Sequence, residues 1–505
     1  MRPLVECLQD MEVDVRFVEE TPPGLIVGAA IDRLARGAEP IRLLAAAAIA
    51  VSRSTELPPD HHGGPVHPVC GLHPVLALSR RLGGRDSWVP IVQSVALANR
   101  HVHSDTMGPT AMAALEPLAV TADDAGKADV LDALWTRKPL AAERLLLGGL
   151  RSLPSGEVLD LLLDVGVPRN ALDDHYFLYP VYAARALDAL GWDWAPVVLR
   201  PCVRYLAGNP LLDTPGRAGT YDSYYAANLA AYRTFPAIDA LIDEQGLDRA
   251  DRRIETGADE ATSIGRLGEA IGSLDDYEAV PRTVAEAMGR GLSLHGAAEA
   301  LSYGAGLLSL RSNSGNLFNS HFHTGINARR WLLARDGIGR RTRLRALLSW
   351  SQGPEVRLMR DTMVWPATAT GETLAALPDQ APALRAALEA SIRAAPVLDL
   401  DSKPDPNHFH LPEDVQTVMA LAQRHESRGF DAAPIFADLA RLTATDDASE
   451  MHAYKLQQAA YEEYQATRAP FRWVHLASAA KHAFCCFSFR PHAVFDQARE
   501  FIAAE

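Results

Sequence analysis

One histidine and one lysine near the C-terminal end of the sequence share a face of a predicted helix. His452 and Lys455, in MHAYKLQQAAYEEYQ, stand three positions apart, and apolar residues continue the same face. We therefore expect the imidazole and the amine to point into the protein. A buried lysine is costly unless it is neutralised or paired, and a neutral amine can take up carbon dioxide to become a carbamate, an anionic oxygen ligand for a metal. Two alternatives stay open: Lys455 extends outward to water, or it pairs with Glu462 or Glu463.

A second group of histidines lies in HHGGPVHPVCGLHP. The glycines and prolines indicate a polar loop, which is our interpretation for His61 and His62. His73 precedes Pro74 at a predicted helix start, HPVLALSRRLGG, and His67 lies six residues earlier. We predict that this segment forms one wall of a metal site, with a solvated loop as the alternative.

Two further candidates are His295 and His323. His295 lies in GLSLHGAAEALSYGAGLL, whose small residues let another group approach the backbone closely, although a packed core histidine is the alternative. His323 follows His321 in NSHFHTGINARRWLL, at a predicted helix start. There the positive end of the helix dipole favours the neutral imidazole, which is the form that binds metals.

Six other histidines are assigned to loops, helix surfaces or packing. They are His101 and His103, His408 and His410, and His475 and His482, the last of which adjoins Lys481.

The elements that must position these side chains are helices. Apolar residues recur at three- and four-residue spacing in segments that end in Gly or Pro, and alternation with period two is scarce. The pattern predicts an all-α fold, a compact array of short helices joined by Gly/Pro turns, as one catalytic domain over residues 1–505. Flexible connections are expected at 57–65 and 208–219, and a linker near 399–414 could divide the domain into two lobes.

Composition restricts the partners. The 505 residues carry a net charge of −14, which argues against binding nucleic acid or an anionic membrane surface. The longest apolar run, IRLLAAAAIAV, is too short to cross a bilayer and predicts a buried helix. The N-terminal residues do not resemble a signal peptide, and five cysteines without a CxxC pair favour reduced thiols. We therefore expect a cytoplasmic protein with no nucleic-acid or membrane partner.

Common cofactor and nucleophile motifs are absent. No GxGxxG follows a predicted strand, and neither GxxxxGK[ST], GxSxG nor HExxH occurs. Nucleotide-binding loops and a hydrolase elbow are therefore not predicted.

In this order, the histidine segments resemble the questin oxidase-like family, whose members are oxygenases that open or expand rings of aromatic polyketides such as anthraquinones. The matching segments are HPVCGLHPVLALSRRLG, LHGAAEALSYG, FHTGINARRWLL and MHAYKLQQAAYEEYQ…WVHLASAAKHAF. They cover roughly residues 60–490 as separate islands. The first departs from the family pattern by a Pro-Val-Cys-Gly insertion and an extra residue between His67 and His73.

The resemblance implies a mononuclear non-haem Fe(II) site with four imidazoles and a carboxylated lysine. The ligands that it implies are His73, His295, His323 and His452, with Lys455 as the carbamate; His67 is an alternative to His73, and His321 to His323. It also implies O2 as co-substrate and a small aromatic substrate whose ring is cleaved or gains oxygen. NADPH use is described for the family, but this sequence shows no recognisable site for it. A homodimer is the default assembly.

Two other hypotheses remain. A zinc-dependent hydrolase or lyase would use the same histidines, although zinc takes three or four ligands. A helical-repeat interaction protein would carry histidines that have no common function. The identity and amount of bound metal distinguish the three hypotheses.

Overall fold

The computed structural model describes most of the chain. The described residues are 4–54, 66–104, 112–170, 174–208, 237–249, 254–274, 279–315, 321–350, 362–399, 410–447, 449–490 and 492–504. The predicted connections at 57–65 and 208–219 and the predicted linker near 399–414 lie wholly or mostly outside them. His61, His62 and His408 also lie outside them.

The prediction of an all-α fold is confirmed. The helices are α1 Leu4–Glu20, α2 Ile26–Ala35, α3 Pro40–Ser54, α4 Val66–Leu82, α5 Trp88–Val102, α6 Asp124–Trp135, α7 Pro139–Ser152, α8 Ser155–Gly166, α9 His175–Leu190, α10 Ala195–Gly208, α11 Gly257–Gly272, α12 Val280–Arg290, α13 Leu294–Arg311, α14 His321–Leu333, α15 Arg340–Leu348, α16 Gly371–Ala375, α17 Ala381–Arg393, α18 Asp414–Ser427, α19 Ala432–Thr443, α20 His452–Ala466, α21 Trp473–Ser488 and α22 Ala493–Ala504. A further helical segment spans 237–244. Among the described residues the only strands are the two-residue pair Leu398–Asp399 and Phe489–Arg490, which run parallel.

Helix α3 contains the alanine-rich run that predicts a buried helix. Its residues from Leu43 to Val51 are all buried, because alanine combines high helix propensity with a small volume that lets neighbouring helices approach. No described helix is both long and apolar enough to cross a lipid bilayer.

The start of α4 differs from the prediction. The helix begins at Val66 rather than at His73, and Pro74 lies inside it. A proline within a helix removes one backbone hydrogen bond, so it does not always mark a helix start. As a result His67, and not His73, occupies the first turn.

Three apolar cores meet around two of the helices. The first core is built mainly by α1–α10, the second by α17–α19 and α21, and the third by α11–α13 and α15. Helix α14 supplies Ile326 to the third core and Ala328 to the first. Helix α20 contributes to the first and second cores in the same way. Both helices therefore lie where cores join.

Four helices form a closed ring at this junction. Helix α4 packs against α9 and α20, and α14 packs against the same two helices. The C-terminal helix α22 returns to the N-terminal part of the chain and packs against α2 and α5. The ring brings together segments that are far apart in the sequence.

Candidate metal centre

The four helices of the ring each place a histidine at the same buried point. His67 is the second residue of α4, and His175, His321 and His452 are the first residues of α9, α14 and α20. The ring centroid of His452 lies 4.9 Å from that of His67 and 5.3 Å from that of His321. The His175 centroid lies 5.4 Å from His67 and 5.6 Å from His321. None of the four residues is more than 3% exposed.

Three of these imidazoles satisfy the distance requirement for a shared metal ion. One ring nitrogen from each of His175, His321 and His452 lies within 4.8 Å of the other two. This is the only such group of histidine, cysteine or acidic side chains within the described part of the chain. Imidazole nitrogen is a common ligand for zinc, copper, iron and nickel, so the arrangement is suited to a transition metal.

Unusual backbone conformations precede two of the cluster histidines. Asp174 has a φ of 55°, and Glu450 and Met451 have φ of 48° and 71°. Among the described non-glycine residues, Arg137 alone shares this left-handed region with them. Such a conformation costs a non-glycine residue roughly 1–2 kcal/mol. Backbone strain concentrates at functional sites, where surrounding contacts maintain it.

Hydrogen bonds fix the tautomers of two rings. Nδ1 of His67 lies 3.1 Å from the carbonyl oxygen of Glu450, and Nδ1 of His452 lies 2.7 Å from that of Ser449. Because a carbonyl oxygen can only accept, both Nδ1 atoms carry the proton, and in the neutral ring Nε2 carries the lone pair. Metal-binding histidines are usually oriented in this way.

The surroundings favour neutral imidazoles. Burial lowers the pKa of His452 well below its usual value, and the nearby Lys455, His67, His321 and His175 add to the effect. The four helix N-termini that meet here also disfavour positive charge. His452 therefore presents an unprotonated nitrogen near neutral pH.

Lys455 lies one turn beyond His452 and is 3% exposed, so it does not extend into water. Burial lowers its pKa to about 8. The two acids considered as partners are paired elsewhere, Glu462 with Arg185 and Glu463 with Arg330. Lys455 therefore has the inward orientation, rather than the solvent-exposed one or a pair with Glu462 or Glu463.

The structure places His73 outside the cluster. It lies six residues beyond His67 on α4, a rise of about 9 Å. Its Nε2 lies 3.4 Å from Nη2 of Arg185 and 3.7 Å from Oε1 of Glu462. Burial, reinforced by the Arg185 charge, lowers the pKa of His73 to about 4. The sequence predicts a helix start at His73, whereas α4 begins at Val66, and this difference brings His67 instead of His73 to the cluster.

Polar and charged side chains connect all four helices of the ring at the level of His73. Arg185 of α9 donates to both carboxylate oxygens of Glu462 on α20, at 2.7 Å each. It also donates to Oδ1 of Asn327 on α14, at 2.8 Å, and approaches His73 of α4. All four helices therefore continue side by side beyond the histidine cluster.

His295 also lies outside the cluster. It is exposed, in the first turn of α13. The small residues that suggested close approach of a ligand serve the packing of α13 against α11 instead. A Cβ atom added to Gly304 would lie 2.6 Å from Ile271, and one added to Gly268 would lie 2.4 Å from Tyr303.

His323 is buried but is directed elsewhere. Residues two apart on a helix point to nearly opposite sides, so His321 enters the cluster while His323 meets His475. Their rings are 5.4 Å apart and nearly perpendicular. Burial lowers the pKa of His323 to about 3, with added effects of His482 and Lys481. His321, the alternative ligand to His323, therefore lies in the cluster, and His323 does not.

The residues around His475 agree with one part of their interpretation and not with the other. His475, Lys481 and His482 lie on helix α21 and are buried, as packing residues are, whereas an exposed helix surface is wrong for all three. Lys481 donates to the carbonyl oxygens of Ser309 and Ser312. Lys481 is therefore accommodated by backbone acceptors.

The sequence interpretation missed His175. It stands alone in DDHYFLYP, without a neighbouring histidine. The feature it shares with the other cluster residues is its place at the start of a helix. Its contribution becomes apparent only when α9 and α14 are packed together.

Comparisons with models of known protein families, with curated proteins and with solved structures found no match for this chain.

Proposed function

We propose that this protein is an oxygenase that uses a mononuclear non-haem iron and dioxygen to cleave, or insert oxygen into, a ring of an aromatic polyketide-type substrate. The observation that carries the proposal is the convergence of four buried histidines from four helices. Iron suits imidazole and carboxylate-type ligands. The proposed ligands are His67, His175, His321 and His452, with Lys455 as a carbamate.

The charge balance supports a modified lysine. No carboxylate belongs to the group of ligand atoms that lie within 4.8 Å of one another in the described residues. A divalent cation among neutral imidazoles and helix N-termini would be compensated only in part by the Glu450 carboxylate, which contacts His67 from outside the group. Lys455 is buried one turn beyond His452 and on the same face of α20. Its carbamate would supply the missing negative charge.

Carbamate formation needs the neutral amine, carbon dioxide and a base. The amine nitrogen bonds to the carbon of CO2, one C=O π bond becomes a carboxylate oxygen, and the nitrogen releases one proton to solvent, which leaves a singly negative carbamate. Burial lowers the pKa of Lys455 to about 8, so the neutral amine is more abundant near neutral pH than for an ordinary lysine. Arginine stays protonated and does not offer this chemistry.

The chain contributes orientation and exclusion of water. When bound, the iron supplies the one-electron chemistry that lets dioxygen react with an electron-rich aromatic ring. The carbonyl groups of Glu450 and Ser449 hold the rings of His67 and His452 in place. The burial of all four histidines keeps bulk water from the centre. These are the tasks a protein performs for a reactive cofactor.

A zinc-dependent hydrolase or lyase is the second candidate. The observation that favours it is the compact group formed by His175, His321 and His452, since three histidines are a known ligand set of catalytic zinc. A helical-repeat interaction protein gives no reason for this group.

Metal analysis tests the proposal. Wild-type protein purified without chelator is compared with the His452→Ala and Lys455→Ala variants, and with His73→Ala as a control on α4. Stoichiometric iron in the wild type and control, and its loss in the other two, is the expected result. Stoichiometric zinc would support the hydrolase or lyase, and absence of metal would overturn both enzyme hypotheses.

Two further measurements address the carbamate and the substrate. After growth with 13C-bicarbonate, a carbamate signal in the 13C NMR spectrum should be present in the wild type and absent in Lys455→Ala. Incubation of the iron-loaded protein with a hydroxyanthraquinone and 18O2 should yield a product that contains the isotope. A product without 18O would contradict the oxygenase assignment for this substrate.

A further inference from the structure

The turn before α20 contacts two of the proposed ligands at once. Glu450 and Met451 are consecutive left-handed residues that lead directly into His452. Glu450 also contacts His67: its carbonyl oxygen lies 3.1 Å, and its carboxylate Oε2 3.2 Å, from Nδ1 of that ring. Glu450 therefore orients the His67 ring and, through its backbone conformation, determines the position of His452.

Neighbouring contacts hold the turn in this conformation. Ser449 donates from Oγ to the carboxylate of Asp446 and accepts from the backbone N–H of Ala453 at 2.9 Å. The Met451 side chain lies against α4 at Gly71, where an added Cβ atom would be 2.9 Å from Cγ of Met451. The turn is thus fixed both to its own helix and to the helix that carries His67.

We propose that Glu450 is a positioning residue of the metal centre, which fixes the His67 ring and uses its negative charge to make Nε2 of His67 a more basic ligand. This inference rests on the proposed function only in requiring that His67 binds a metal. A carboxylate beside the N–H group of a ligating histidine raises the basicity of that ligand. Here Oε2 of Glu450 lies 3.2 Å from Nδ1 of His67, whose hydrogen bond goes to the carbonyl oxygen of the same residue. The carbonyl oxygen of Glu450 orients the ring in any variant, so the effect of the charge can be isolated.

The position of the carboxylate supports a charged role. The Glu450 side chain is 31% exposed, and its Oε2 contacts a ring that is itself 3% exposed.

Cobalt binding tests the inference without relying on activity. Co(II) is added to metal-free wild type, Glu450→Gln, Glu450→Ala and the control Glu372→Gln, which removes an exposed charge on α16. We expect Co(II) to bind about 10-fold more weakly to Glu450→Gln and up to about 100-fold more weakly to Glu450→Ala, the range seen for such outer partners. The ligand-field absorption of bound Co(II) should change in both variants, and the control should match the wild type.

The iron-loaded protein provides a second measurement. Loss of the negative charge disfavours Fe(III), so the Fe(III)/Fe(II) potential of Glu450→Gln should be higher than that of the wild type. If Glu450→Gln has the Co(II) affinity, the absorption spectrum and the Fe(III)/Fe(II) potential of the wild type, the charge has no role and the inference is overturned. A wild type that binds no Co(II) would overturn it together with the metal site. Tight Co(II) binding without oxygenase activity would overturn only the proposed function.

Discussion

The guanidinium group of Arg329 makes two hydrogen bonds to the carboxylate of Asp174, with Nη1–Oδ2 at 3.0 Å and Nη2–Oδ1 at 3.2 Å. Both residues are buried, at 1% and 3% exposure. Asp174 directly precedes His175, and Arg329 lies eight residues after His321 on α14. The ion pair therefore joins the start of α9 to the C-terminal half of α14, and both helices supply histidines to the cluster.

Replacing Asp174 with asparagine should destabilise the protein strongly. Asn tolerates the left-handed backbone, so the change mainly removes the charge that compensates Arg329. Breaking a buried pair from one side costs about 3–5 kcal/mol. Urea denaturation of the metal-free protein measures the loss. The control is Asp188→Asn, which removes the exposed partner of Arg335 and should cost at most about 1 kcal/mol. Equal losses in the two variants would contradict a special role for the buried pair.

Gly325 leaves room for the same ion pair. A Cβ atom at this position would lie 2.7 Å from Oδ2 of Asp174 and 3.2 Å from Nη1 of Arg329. Arg329 is also held by the carbonyl oxygen of Ala346, at 2.6 Å, so it cannot shift freely. We expect Gly325→Ala to lower the free energy of unfolding by about 1–3 kcal/mol. In the control Gly371→Ala the new Cβ meets nothing within 4 Å, and the thermal midpoint should not fall. A neutral Gly325→Ala would show that the pair can move aside.

Local patterns in the sequence are sufficient to predict an all-α fold and one corner of the site. The spacing of His452 and Lys455 beside apolar positions predicts that both are buried, as they are. His67 and His321 are recognisable only as alternatives, because their choice over His73 and His323 depends on where each helix begins and how it is rotated. Neither quantity follows from residue types alone, since Pro74 is compatible with a helix start and with a helix interior.

The rest of the site depends on tertiary packing. His175 has no local histidine partner, and it reaches the others only because α9 packs against both α4 and α14. His295 shows the converse problem. Small residues favour close approach of any group, and here the approaching group is helix α11 rather than a ligand.

Paired histidine substitutions test the revised ligand set. His67→Ala and His321→Ala should lose stoichiometric metal, because each removes an imidazole from the cluster. His73→Ala and His323→Ala, on the same two helices, should retain it, because these rings contact Arg185 and His475 instead. Elemental analysis of the four variants, with circular dichroism to confirm folding, measures the difference. Metal loss in folded His73→Ala or His323→Ala, with retention in its partner, would restore the ligand set implied by the sequence resemblance.

Buried neutral histidines should make the metal-free protein sensitive to acid. Burial lowers the pKa of His475 well below its usual value, with smaller effects of His323 and Arg330, and burial lowers the pKa of His73 to about 4. In the unfolded chain both groups titrate near a pKa of about 6.5, so below that pH the unfolded state binds more protons than the folded state. Their contribution to stability is therefore complete above about pH 6.5 and is lost as the pH falls towards about 4. Urea denaturation over this range should show the decline. In His475→Gln the slope should be shallower by up to about 1.4 kcal/mol per pH unit, the value for one proton. An unchanged slope would mean that His475 becomes protonated without unfolding.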